Sequence, residues 1–244
     1  MRLNRVHVPA ALAGGSEIWL PESAARHVAR VLRLRAGAPI VLFDGSGSEV
    51  RSEVAAIEGD RVRVRLGERT KGLGESPLEI TLVQGISRGE RMDWTLQKAT
   101  ELGVRRVVPV VCSRSVVRLD EPQAAKKLRH WQAIVAAACE QCGRSTLPEV
   151  RPPVELGQFL AASPRAGRRL ILSPSGPASL AGLTVSSPRI ELLIGPEGGF
   201  EDSEIDDATR AGFAAACLGP RVLRTETAGI AALAVLQALW GDLQ

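Results

Sequence analysis

Residues 194–204, IGPEGGFEDSE, end an apolar run in a proline, a glutamate and two glycines before an acidic stretch begins. Two other apolar runs break off in the same manner, LILSPSG at 170–176 and CLGPRVLRTETAG at 217–229. Glycines at such points remove side chains where another molecule, or another stretch of chain, must approach the backbone. None of the three breaks carries the Gly-Lys-Ser/Thr end of a phosphate loop or the GxGxxG of a dinucleotide turn. Glu197, followed by Glu201, Asp202 and Glu204, makes the first loop acidic, which repels a phosphate. Asp202 and Glu204 are accounted for by the start of a helix, whose dipole favours carboxylates. Glu197 precedes that helix. The combination suits a ligand that is cationic or rich in hydroxyl and amino groups.

The elements that must position these loops read as two parts. Residues 1–72 show short strand signals: APIVLFDGSGSEVRSEVAAIEGDRVRVRLGE carries DG and GD turn dipeptides, and 61–66 alternates arginine with Val or Leu. That alternation gives a strand with one arginine face and one apolar face. A helix around 21–30 interrupts the β pattern, and a small barrel is the natural closure for such strands. TKGLGESP, 70–77, has linker composition. We therefore expect domains at 1–72 and 73–244.

Beyond residue 77 the period changes. LEITLVQG, RRVVPVV, RLILS, IELLIG and AAACLG are short apolar strands. Between them ERMDWTLQKATELG places Met92, Leu96, Ala99 and Leu102 on one helical face, and Pro122 opens a longer helix in which Leu128, Trp131, Val135, Ala138 and Cys142 step by three and four. ETAGIAALAVLQALW closes the chain as a helix. Buried strands alternating with helices imply an α/β fold with a mostly parallel sheet, whose ligands bind where strands end.

Composition narrows the partners. The chain has 244 residues, 45% of them hydrophobic, with a net charge of +4. The first 72 residues hold 12 basic and 8 acidic side chains, and the remainder 19 of each, so the whole excess lies in the N-terminal part. Of the 31 basic residues 27 are arginine, whose planar fork binds phosphate and stacks on bases, which makes nucleic acid a reasonable partner. No apolar run is long enough for a membrane span, and the opening MRLNRVHVPA lacks the apolar centre of a signal peptide, so a cytoplasmic location and no membrane partner are expected. The four cysteines are too scattered for a disulfide framework. Cys139 and Cys142 form a lone CxxC within a helical pattern, with no second ligand pair, so no metal site is expected.

Several motifs in order carry a family resemblance. LLIGPEGGF and LGPRVLRTETA, with QKATELGV, SRSVV, EQCGR, Arg5 and HVARVLR upstream, resemble the small-subunit ribosomal RNA (uracil-N3) methyltransferases of the SPOUT superfamily. The resemblance implies a PUA-like barrel followed by a SPOUT domain with a trefoil knot, and S-adenosylmethionine held by the knot's loops. Carried over by position, Leu193, Ile194, Gly195, Pro196, Glu197, Gly198 and Gly199 would form one wall of the cofactor site. Leu172 and Ser173 would form a second, and Leu218, Gly219, Arg221, Leu223, Thr227 and Ala228 a third. It also implies a homodimer, with the apolar stripe of the 122–142 helix and the last helix as candidate faces, and small-subunit RNA or the assembled 30S subunit as substrate.

Uracil N3 is protonated at neutral pH, so the site must favour the uracilate, with a base or with cations near its developing charge. Arg144 and Arg224 are the expected cations, and Glu140 or Glu226 the base or orienting carboxylate. Glu140 and Arg144 lie four apart at a helix end, close enough to share one face. Lys98 and Glu101 are spaced to pair on a helix surface. Arg2, Arg5, Arg26, Arg30 and Arg33 are the expected RNA contacts, adding a salt-dependent grip.

Overall fold

The computed structural model describes residues 3–9, 12, 16–117, 119–162, 167–184 and 186–243. Two compact units emerge: residues 1–75 together with 136–147, and residues 76–135 together with 148–244.

In the first unit β1 (Asn4–His7), β2 (Glu17–Trp19), α1 (Glu22–Arg26), β3 (Pro39–Phe43), β4 (Ser48–Glu58) and β5 (Arg61–Lys71) follow in order, and a π-helical turn, His27–Val31, extends α1. The strands make one sheet in the order β1-β3-β4-β5-β2, antiparallel except for the β1–β3 pair. The DG and GD dipeptides fall at the β3–β4 and β4–β5 reversals, as the sequence suggests. The alternation on β5 is realised: Val62, Val64 and Leu66 are buried in a core with Val28, Ile40, Leu42, Val50 and Val54, while Arg61 and Arg65 are exposed. Arg61 stacks over Trp19 at 4.1 Å from the ring centre, where it can shield an exposed edge-strand aromatic.

The second unit contains β6 (Glu79–Gly85), α2 (Glu90–Glu101), β7 (Arg106–Val111), the first part of α3 (Glu121–Cys142), β8 (Glu149–Val150), β9 (Val154–Glu155), α4 (Leu156–Ala162), β10 (Arg168–Leu172), β11 (Ala178–Ser179), β12 (Arg189–Ile194), α5 (Asp202–Arg210), β13 (Ala214–Cys217) and α6 (Thr225–Trp240). Every pairing in its sheet is parallel, in the order β11-β13-β10-β12-β6-β7-β8, with β9 beside β7. The strands read as continuous apolar runs because helices cover both faces. Leu170 and Ile171, Leu192 and Leu193, and Leu82 and Val83 are all fully buried.

Two features of this topology set up a site. First, β13, β10 and β12 are neighbours, so the three glycine- and proline-containing breaks leave the sheet side by side at its carboxyl edge. Second, β6 ends in Gly85 directly against the start of the 195–199 loop. A Cβ at Gly85 would lie 2.4 Å from the Pro196 nitrogen, so only glycine admits this close pass. α6 starts at this carboxyl edge and is fixed at the opposite, amino edge through Gln237, whose amide oxygen accepts from Ser76 Oγ at 2.6 Å and whose amide nitrogen donates to the Leu102 carbonyl at 2.9 Å.

Candidate active site

The loop after β12 is held in shape from several sides. Gly199 N–H donates to the Pro196 carbonyl at 2.9 Å, closing a turn that Gly199 completes at φ +70°, where a side chain would be strained. Thr225, in the first turn of α6, donates its hydroxyl to the Gly195 carbonyl and accepts from Gln84 Nε2 at 3.0 Å. The Glu197 carboxylate accepts from Arg88 N–H at 2.8 Å and from Arg91 Nη1 at 2.9 Å. Burial alone would raise the Glu197 pKa, but the Arg88 and Glu197 backbone N–H groups and the Arg91 guanidinium outweigh it and hold the carboxyl below its ordinary range. The helix-start reading of the acids that follow is realised: Glu204 accepts from the Glu201 N–H at 2.8 Å and from Ser113 N–H at 2.8 Å.

The three strand-end loops surround a cavity of about 570 Å³, within the range of small-molecule sites. Of the residues expected at a cofactor, Leu172, Ser173, Ile194, Gly195, Pro196, Glu197, Gly198, Gly199, Leu218, Gly219, Arg221, Leu223 and Ala228 line it. Leu193 does not line this cavity: it points into the core with Val83, Ile171 and Phe213, because neighbouring positions on a strand face opposite sides of the sheet. Thr227 is exposed and also lies outside the lining. Arg224 and Glu226 line the cavity too. Glu226 is only 8% exposed, and its Oε2 is buried without a hydrogen-bond partner among the described residues.

Glu140 and Arg144 belong to the other compact unit. Arg144 is 5% exposed and pairs with Glu75, and Glu140 accepts the His7 N–H at 2.9 Å. Arg5 is likewise engaged inside that unit, against Glu49 at 2.7 Å, Ser145 Oγ at 2.8 Å and the Phe43 ring. Arg26 and Arg30 are exposed and pair with Glu22 and Asp60; Arg33 is exposed; Arg2 lies outside the described residues. Lys98 and Glu101 pair at 2.9 Å, as their spacing suggests.

Sequence reasoning missed Arg91 and Arg114. Arg91 sits on α2 at the flank of the apolar stripe by which that helix was recognised, and Arg114 reaches from the loop after β7 to the Gly198 carbonyl at 3.4 Å. Only the motif SRSVV hinted at the second. Among the described residues there is no cluster of His, Cys, Asp or Glu arranged to hold a metal, and no helix is long and apolar enough to cross a membrane.

Comparison with known proteins agrees on one family. A model described as an RNA methyltransferase domain matches residues 74–237, and one described as an RNA methyltransferase PUA domain matches residues 20–67. The ribosomal RNA small subunit methyltransferase E of Buchnera aphidicola is 34% identical over 99% of this chain and 98% of its own length. That of Bacillus subtilis is 32% identical over 86% and 85% respectively. Among solved structures, a Legionella pneumophila chain in complex with the bound cofactor SAM superposes with a TM-score of 0.96 at 42% identity, covering all of both chains. A Neisseria gonorrhoeae ribosomal RNA small subunit methyltransferase E bound to S-adenosyl methionine gives 0.93 at 42% identity, again covering both chains fully. The chain belongs to the RNA methyltransferase family that comprises these small subunit methyltransferase E proteins.

Proposed function

We propose that this chain methylates N3 of a uracil in small-subunit ribosomal RNA, using S-adenosylmethionine bound in the strand-end cavity. The observation that carries this reading is the cavity itself. It is walled by backbone, glycines and apolar side chains of three adjacent loops, and a Cβ on Gly199 or Gly219 would enter open space. Such walls fit a nucleoside cofactor: Leu172, Leu218 and Leu223 would offer apolar contact to its base, and the 195–199 backbone would offer hydrogen bonds. The cofactor supplies a methyl already activated on a sulfonium, which leaves as a neutral thioether, so the protein's task is alignment and charge.

The protein's own groups then handle the uracil proton. The Glu226 carboxylate, which lines the cavity and has one buried oxygen without a partner among the described residues, takes the N3 proton, and Arg224 faces the negative charge that develops on the ring oxygens. We assign Arg144 and Glu140 to holding the first unit together, given their partners there.

We infer that residues 1–72 grip RNA and residues 73–244 do the chemistry, in a SPOUT arrangement whose strand-end loops are threaded as a knot. Arg26, Arg30 and Arg33 are exposed, and the pairs that Arg26 and Arg30 make can be exchanged for phosphates. A homodimer would use the outer side of α6, where Leu239 is 43% exposed; Trp131, Val135 and Ala138, expected as an interface stripe on α3, are buried within the chain. The cytoplasm, where the substrate is assembled, is the proposed location. Transfer of labelled methyl from S-adenosylmethionine to small subunits, large subunits and tRNA tests the substrate class: labelling confined to the small subunit supports it, and labelling of tRNA alone overturns it.

A further inference from the structure

A second cavity, of about 580 Å³, opens between α2, the first part of α3 and the start of α6. It shares two lining residues, Arg91 and Glu226, with the strand-end cavity, so that pair borders both spaces. Its rim carries Trp94, 48% exposed although it stands beside Ile134, a large aromatic face with no ring partner among the described residues. Two carboxylates line the space, and each has one buried oxygen with no hydrogen-bond partner among the described residues: Glu226, through Oε2, and Asp93, through Oδ1, while Asp93 Oδ2 holds His130 Nε2 at 2.9 Å. A buried acceptor without a donor is destabilising unless something completes it.

We propose that this cavity is the seat of the target uridine, its base stacked on Trp94 and its N3–H directed to the Glu226 carboxylate. The inference rests on the methyltransferase reading above and adds the residues that receive the nucleotide. A flat aromatic base matches the free face of Trp94, and stacking of this kind tolerates any base, so it holds without selecting. Selection comes from Glu226. Uracil offers a donor at N3, which the carboxylate accepts, whereas cytosine offers a lone pair, which the carboxylate repels. The ribose hydroxyls are donors for the Asp93 carboxylate, an interaction that favours RNA. Because Glu226 belongs to both cavities, a base seated here has N3 at their junction.

Binding of free mononucleotides reads the seat without any turnover. Uridine 5′-monophosphate is titrated against the full chain saturated with S-adenosylhomocysteine, and the fluorescence of wild type is compared with that of Trp94→Phe to isolate residue 94. A saturable quench at Trp94 is expected, with cytidine 5′-monophosphate weaker by about tenfold or more, and Glu226→Gln, whose amide can both donate and accept, narrowing that gap. Trp94→Ala should weaken uridine 5′-monophosphate about tenfold while leaving calorimetric S-adenosylmethionine affinity unchanged. If cofactor binds normally but neither nucleotide quenches Trp94, or both do so equally, the seat is overturned and the methyltransferase reading stands. If the cofactor does not bind wild type, both fall together. A quench that follows protein concentration, with Trp94→Ala shifting the sedimenting mass, identifies a second copy on this face and also overturns the seat.

Discussion

Arg91 Nη1 meets Glu197 Oε1 at 2.9 Å although 106 residues separate them, and the same oxygen accepts the Arg88 N–H at 2.8 Å. The start of α2 thus clasps the loop that forms one wall of the proposed cofactor cavity, and it does so through the very carboxylate that the sequence marks as unusual.

The clasp is partly exposed, with Arg91 at 46%, so its direct worth is about 0.2–1 kcal/mol. Arg91→Ala should therefore weaken S-adenosylmethionine by about fivefold at most in calorimetry. The pH dependence has a definite sign. The folded carboxyl titrates below its ordinary 4.5, so the clasp is intact above that value and is lost as pH falls through the lower folded pKa. Affinity should stay level from neutral pH to about 4.5 and fall below it, and Glu197→Gln should flatten that acid limb.

Gly195 lines the cavity, and a Cβ there would already press the Phe200 ring at 3.2 Å. Gly195→Val adds two further methyls, which displace either the ring or the ligand. Loss of measurable cofactor binding is expected, with circular dichroism unchanged; equal affinity in variant and wild type would remove Gly195 from the site.

Arg224→Ala should separate binding from chemistry. An electrostatic donor acting on transition-state charge is worth about 2.7–4 kcal/mol, a hundred- to thousandfold in rate. Single-turnover transfer should slow by that factor while cofactor affinity changes little. A fall in affinity with an unchanged rate would make Arg224 a cofactor contact instead.

The cysteines give a chemical footprint of the cavity. Cys217 is half-buried in its lining. Cys112 is 5% exposed, and burial, helped by Glu204, pushes its thiol up to about 12, which leaves it protonated and inert. Mild alkylation followed by peptide mass spectrometry should label Cys217 and spare Cys112, and S-adenosylhomocysteine should protect Cys217.

The parallel strands and their breaks were legible because fully buried strands are continuous apolar runs and because Gly and Pro punctuate them. Most of the cavity followed from those breaks; Leu193 and Thr227 did not, since a run of contact residues ignores the alternation of a strand and the turn of a helix. Arg91 was illegible because an arginine on a polar helix face looks the same whether solvated or clasping a loop 106 residues away. The partners of Glu140 and Arg144 were hidden for a related reason. Spacing of four says that two side chains share a helix face, not what that face meets, and residues 136–147 prove to belong with residues 1–75.

The most direct test of the central claim is methyl transfer from labelled S-adenosylmethionine to unmodified small ribosomal subunits, followed by mass spectrometry of the nucleosides. The account predicts label in 3-methyluridine, abolished by Gly195→Val and reduced a hundredfold or more by Arg224→Ala. Label in any other nucleoside, or none from a protein that binds the cofactor, would contradict it.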